Sequence, residues 1–376
     1  MIILAAAIIL SLSNSGIIGK ANKAKTDTDI ASAKDIVAMA HADWMLDEAK
    51  IKENDSTITS FSNYAEKKLE EAGYKVGAGE GAYTVTEDGE VYEGLTETAR
   101  TGITAGIKIG DEVKYNAVLT PKSTTTDGSE QSSTGVADST KKQTVKTNTS
   151  YTWRYIGLGE DGSLLIAPDI PTGTISSNYK LTLGDKGGYI NGPKMLNTVC
   201  DTLYTVEGKG KAQSMNIDVV NQVLEYNGPK GGYYDAKGKK VETAEPKTIG
   251  ETGLILNLGS NIQTPDEKDI NTYKLDYYYI NRTSEASRIT KNTVRQNLVY
   301  QGNTYWLASH CVGANFGDEC VYFFLRCVAP NNVFIYYVFN SKGNPISLNY
   351  AVRPYVALTT NVHKTTENGK TIWTLS

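Results

Sequence analysis

The chain has 376 residues, two to three times a usual domain length, so more than one folding unit is expected. With 40% hydrophobic and 21% charged residues it can bury a core, which excludes wholesale disorder. A net charge of -4 and a pI near 5.6 exclude the basic footprint of a nucleic-acid-binding surface, and three His leave little room for metal or triad chemistry.

Met1 to Leu10 are continuously apolar, and polar interruptions at Ser13, Asn14 and Ser15 break the run as it continues to Ile18. A bilayer-spanning helix needs about 20 apolar residues, so this stretch alone is too short. It does not read as a secretory signal either, because Lys20 is the first charge. From Gly19 to Lys52 the chain is Ala-rich and charged and has no Pro. Ile30, Ala33, Val37, Ala40, Trp44 and Ala49 recur there at helical spacing. The two parts predict one helix of about 50 residues, about 75 Å long at 1.5 Å per residue.

The junction ILAAAIILSLSNSG, followed by DIASAKDIVAMA, resembles the N-terminal helix of type IV pilins and pseudopilins. In that family a leader, a cleavage site and a Phe-Thr-Leu-Ile-Glu start precede such an "ILAA" stretch. Here Met1 falls where the middle of the membrane helix would be, so an upstream continuation is expected to supply the leader. The resemblance covers about the first 50 residues. It implies other pilin subunits as partners through this helix, and the membrane as a partner if the full leader is present.

Asp55 is placed to cap a second helix, with Ile58, Phe61, Ala65, Leu69 and Ala72 on one stripe and Gly73 at its end. Tyr83 to Tyr92 alternates about Asp88-Gly89, a hairpin signal, and Gly106 to Tyr115 repeats the period of two. Residues 55–121 are thus expected to form a small helix-plus-strand head of pilin type, on a stalk of residues 1–54. Residues 122–150 have no aromatic side chain before Ser150 and read as a polar linker or long loop.

Residues 151–376 read as a second domain. Trp153 to Ala167 predicts a hairpin turning at Asp161-Gly162, Asn191 to Tyr204 a helix with Pro193 in its first turn, and Asp218 to Tyr226 a short helix. Gly228 to Pro246 reads as a loop or exposed hairpin. Strands are expected at Thr304–Ala308, Val321–Val328, Val333–Phe339 and Tyr350–Leu358. Two helices among antiparallel strands make an α+β unit.

The phrases WRYIG, YWLAS, VYFFLRCV and YAVRPYVAL, in that order, resemble the C-type-lectin-like fold of the formylglycine-generating-enzyme type, over roughly residues 151–360. The fold class implied for the whole chain is α+β: a long helical stalk with a small pilin-like head, then a C-type-lectin-like antiparallel sheet domain with two helices. In that fold Trp153, Trp306, Arg326 and Arg353 are structural. Each Arg stands in an apolar strand, where a guanidinium must be paired with carboxylates or main-chain carbonyls.

Sites for chemistry are sparse. Cys200, Cys311, Cys320 and Cys327 permit three pairings, but Cys320 and Cys327 end one predicted strand about 23 Å apart, too far for a disulfide. No Cys-x-x-Cys, P-loop or strand-following GxGxxG pattern is present. A Cys311 nucleophile with a distant His is formally available. No cofactor, metal or catalytic residue is predicted, and the chain is not expected to be an enzyme.

The segment His310 to Asn349 is the most informative. From the set Glu, Lys, Gln, Met and Trp it contains only Glu319 and Lys342. Those five types have no codon ending in a pyrimidine, whereas randomising the adenines of an Asn codon yields Tyr, Phe, Cys, Asp, His, Ser and Gly. This pattern resembles the targets of diversity-generating retroelements, which place their variable segment at the end of a C-type-lectin-like domain. Ordinary strand composition also disfavours Lys and Glu. In either case Tyr and Asn on a rigid sheet suit a binding face.

The candidate ligand-binding residues are His310, Asn315, Phe316, Asp318, Glu319, Tyr322, Asn331, Asn332, Tyr336 and Asn340. The expected function is a pilin-like protein at the cell surface or in an extracellular filament, membrane-anchored before assembly. It would display a lectin-like domain to an unknown protein or glycan. Two alternatives are a pseudopilin of a secretion or DNA-uptake machine and a modifying enzyme of the formylglycine-generating type.

Overall fold

The computed structural model describes residues 16–131, 137–170, 173, 175–227, 232–234, 240–241, 274–275, 280–281, 289–300, 302–315, 320–330, 332–340 and 346–376. For 16–26, 127–131, 137–141, 185–186, 190, 232–234, 240–241, 274–275, 280–281, 310–315, 320–323, 332 and 334–340 the description is of the backbone alone. The chain is mixed α+β, with helix at the N-terminal side and sheet in the remainder. It divides into two compact units, Met1–Ile107 with Glu160–Ser163, and Lys108–Gly159 with Leu164–Ser376.

In the first unit the helix Gly16–Asn54 is interrupted at Asp47, whose φ of -152° and ψ of 44° are not helical. The expected unbroken rod therefore has a kink. Ala33, Val37, Ala40 and Trp44 are buried on one stripe against Phe61, Ala65 and Leu69, while Ala49, beyond the kink, is exposed. The second helix, Phe61–Glu71, is capped by Ser60, whose side chain accepts from Asn63 N. Asp55 does not cap it. Its carboxylate takes Thr57 N at 2.9 Å and Lys67 Nζ at 2.6 Å, a local turn five residues upstream of the true cap.

The helix stops where the sequence places Gly73, at φ +89°, with Tyr74 N donating to Leu69 O at 2.9 Å. The hairpin Tyr83–Val85 with Val91–Glu93 forms about Gly89, at φ +81°. Glu66, 8% exposed, joins the pieces of this unit, accepting from Val85 N at 3.1 Å and from Arg100 Nη2 at 3.1 Å.

The second unit holds a seven-stranded and a six-stranded sheet. The predicted hairpin is present as Trp153–Leu158 and Leu164–Pro168. Gly106–Tyr115 is mostly turn, and only Glu112–Val113 is strand, between Trp153–Leu158 and the C-terminal strand Lys370–Leu375. Residues 122–150 carry a hairpin, Ser123–Gln131 with Ala137–Lys146, and Val145 within it is buried. Part of Gly228–Pro246 is also a hairpin, with Tyr233 opposite Val241.

Tyr350–Leu358 is not one strand. Ser347–Ala351 belongs to the six-stranded sheet and Pro354–Leu358 to the seven-stranded sheet, so the chain changes sheets at Val352-Arg353. The helix expected from Asn191 begins earlier, at Asp185, and Pro193 lies well inside it. Two glycines between Asp185 and Pro193 permit close approach. A Cβ on Gly192 would stand 3.2 Å from Leu325, and one on Gly188 3.2 Å from the Leu183 main chain. A third helix, Thr293–Tyr300, joins Asp185–Tyr204 and Ile217–Val223, with Asn292 Oδ1 accepting from Val294 N at 2.9 Å.

Candidate functional site

Six of the ten candidate residues, His310, Asn315, Tyr322, Asn332, Tyr336 and Asn340, lie on three adjacent strands of the six-stranded sheet, Tyr305–Asn315, Cys320–Ala329 and Asn332–Asn340. One end of this triplet is rooted in the core. Tyr305, Val328 and Val333 stand opposite one another and are buried, in one apolar cluster with Leu298 and Val299. Trp306 is fully buried beside Cys327, and its Nε1 donates to Leu181 O at 2.8 Å.

Away from the root, Leu325 pairs with His310 and Tyr336, then Tyr322 with Gly313 and Asn340, then Cys320 with Asn315. Irregularities in register between Trp306 and His310, and between Phe323 and Phe324, bend the ladder along this path. His310 and Tyr336 align with Leu325, while Tyr322 and its partner Asn340 lie in a separate row, three residues away along the strand of Tyr322 and four along that of Asn340. Asn315, Tyr322 and Asn340 share the distal end. Asn332 pairs with Ala329 at the root, about 26 Å along the strand from Asn340. Phe316, Asp318, Glu319 and Asn331 lie outside the described residues.

The four residues expected to be structural are all buried: Trp153 and Trp306 at 0% exposure, Arg326 at 1% and Arg353 at 2%. Arg353 pairs with main-chain carbonyls, as its setting required, and also with Tyr305, a partner that spacing alone did not suggest.

The other reactive groups lie elsewhere. Cys200 and Cys327 are buried free thiols, both pushed up by burial. Cys311 and Cys320 stand in neighbouring strands but in different rows, Cys311 opposite Phe324 and Cys320 opposite Asn315. His41 packs edge-on to Phe61, and His363 Nε2 meets Ser376 Oγ at 2.8 Å. Among the described residues no group of three His, Cys, Asp or Glu is placed to hold a metal ion. No described helix is long and apolar enough to cross a membrane. Comparison of the chain with protein-family models, curated proteins and solved structures found no match.

Proposed function

We propose that this chain is a pilin-like surface protein whose C-terminal, lectin-like unit presents a recognition face built on Tyr305–Asn315, Cys320–Ala329 and Asn332–Asn340. The observation that carries the reading is one of placement. Within the segment of biased residue usage that begins at His310, the described residues 310–315, 320–329 and 332–340 lie on three contiguous antiparallel strands whose other end is fixed in a buried core. A rigid root allows side chains at the distal end to change without unfolding the domain, as recognition by a variable face requires. Asn315, Tyr322 and Asn340 at that end are the contacts this reading favours. Assembly with other pilin subunits, and membrane anchoring before assembly, belong to the same proposal and rest on the N-terminal helix.

Two experiments test it. Sequencing codons 310–349 across a growing population should show substitutions concentrated at the adenines of Asn codons, beside a reverse-transcriptase gene and an imperfect repeat. An invariant segment without either removes the diversification part. Binding of the purified protein to glycan and surface-protein arrays should fall at least tenfold in Tyr322→Ala and Asn340→Ala, with unchanged melting. Turnover abolished by Cys311→Ser or Cys320→Ser would instead establish the modifying enzyme.

A further inference from the structure

The strand Lys180–Gly184 forms one edge of the six-stranded sheet, paired on its inner side with Ser347–Ala351. On Thr182, Gln143 supplies a partner for both main-chain groups. Thr182 N donates to Gln143 Oε1 at 2.7 Å, and Gln143 Nε2 donates to Thr182 O at 2.9 Å. Two such reciprocal bonds are what a residue of a neighbouring antiparallel strand makes in a hydrogen-bonded pair. A single side-chain amide thus stands in for a strand.

We propose that this edge is a self-association surface masked by Gln143, and that its partner is the same strand of a second copy. The sequence of the strand fits itself. An antiparallel register centred on Thr182 sets Thr182 opposite Thr182, Leu181 opposite Leu183 and Lys180 opposite Gly184, so no like charges face each other. Each Thr182 then receives from its counterpart the N–H and C=O that Gln143 provides, in an isologous two-fold contact. Leu181 and Leu183 are already fully buried, so the contact is made by main chain and needs no new apolar surface.

Exposed edges invite pairing of this kind, and proteins cover them. The cover here is the Ser- and Thr-rich hairpin that carries Gln143. It is held at its base, with Lys122 N donating to Thr147 Oγ1 at 3.2 Å and Thr147 N to Lys122 O at 2.9 Å. The base therefore stays closed if the hairpin is removed.

Gln143→Ala in the full chain deletes both bonds and is the test. Sedimentation velocity over a concentration series should show half-dimerisation at a concentration at least tenfold lower than for the unaltered chain. Hydrogen exchange should show the Thr182 amide losing protection in dilute Gln143→Ala and regaining it as concentration rises. Excising residues 123–146 and joining Lys122 to Thr147 through Gly-Gly should strengthen association further. The proposal is overturned if folded Gln143→Ala associates no more than the unaltered chain. It is equally overturned if its Thr182 amide stays unprotected when dimers form.

Discussion

Arg353 and Tyr305 meet inside the second unit, with Arg353 Nη1 3.0 Å from the phenol oxygen and the guanidinium carbon 4.8 Å from the ring centroid. The same guanidinium reaches Pro168 O at 3.1 Å and Leu298 O at 2.6 Å, and Tyr305 donates to Val299 O at 3.0 Å. Leu298 and Val299 lie in the last turn of the helix Thr293–Tyr300, where carbonyls have no partner within the helix. One cation at the change of sheets therefore joins a strand end, a helix end and the root of the candidate recognition strands.

Removing that cation should be costly. Arg353→Ala leaves buried carbonyls on two separate segments without a donor, each worth about 1–3 kcal/mol. An overall loss of about 3–5 kcal/mol is expected, as for other broken buried charge contacts. Arg353→Lys keeps the charge but not the planar fork that serves three segments, and should recover less than half of the loss. Urea unfolding of the three proteins checks both statements, and a loss below about 1 kcal/mol for Arg353→Ala would refute this role.

Two glycines with similar backbones should behave differently. Gly302 has φ +96°, and an added Cβ would collide with Ile170 O, with the carbonyl carbon 2.8 Å away. Gly208 has φ +70° and nothing within 4 Å. Gly208→Ala should cost only the left-handed backbone term, about 1 kcal/mol. Gly302→Ala must also displace main chain and should cost at least about 3 kcal/mol. Equal shifts in melting temperature would show that backbone conformation alone sets the price.

Acid sensitivity in the first unit should involve Asp55. The hydrogen bond from Lys67, followed by those from the Thr57 hydroxyl and amide, holds its carboxyl well below the usual carboxylate range. A depressed folded-state value gives stability that is present above the unfolded value, near 3.8, and is lost as pH falls below it. Asp55→Asn should therefore be less stable than the unaltered chain at pH 7, with the difference closing towards pH 2. Unfolding midpoints in urea at the two pH values measure this. A difference that persists undiminished at pH 2 would assign the effect to the amide's geometry.

Local signals carried the sequence reading where the structure is local. Gly73, Asp88-Gly89 and Asp161-Gly162 each dictate a turn through backbone sterics, and the turns form at those positions. Long-range choices were hidden. Tyr350–Leu358 alternates as one strand because both halves have a buried face, and only the sheets they join show the break at Val352-Arg353. Pro193 reads as a first-turn residue because the earlier start at Asp185 goes with packing that local sequence does not show: Gly188 lies close to Leu183 and Gly192 to Leu325, 133 positions away. Gln143 sits in a segment too polar to suggest a fixed position, and its role comes from an edge 39 residues downstream. In the candidate site, the rows were legible from alternation only within each strand. Which rows face one another, and that Asn332 lies at the root, required the pairing between strands.

Thiol chemistry separates the buried cysteines from those in the recognition strands. Burial pushes the thiols of Cys200 and Cys327 up, with a Ser214 contact opposing it at Cys200 and the Arg326 charge opposing it at Cys327. Since the thiolate is the nucleophile, both should be inert in the folded protein, first because reagent cannot reach them and second because little thiolate forms. The double variant Cys311→Ser/Cys320→Ser leaves these two thiols alone. With Ellman's reagent at pH 8 it should release no colour while folded and two equivalents in denaturant. Reaction of either thiol at the rate of a free cysteine in the folded protein would mean that the layer formed by the helix Asp185–Tyr204 and the strand Cys320–Ala329 opens readily. A recognition face rooted in that layer would then lose its rigid base.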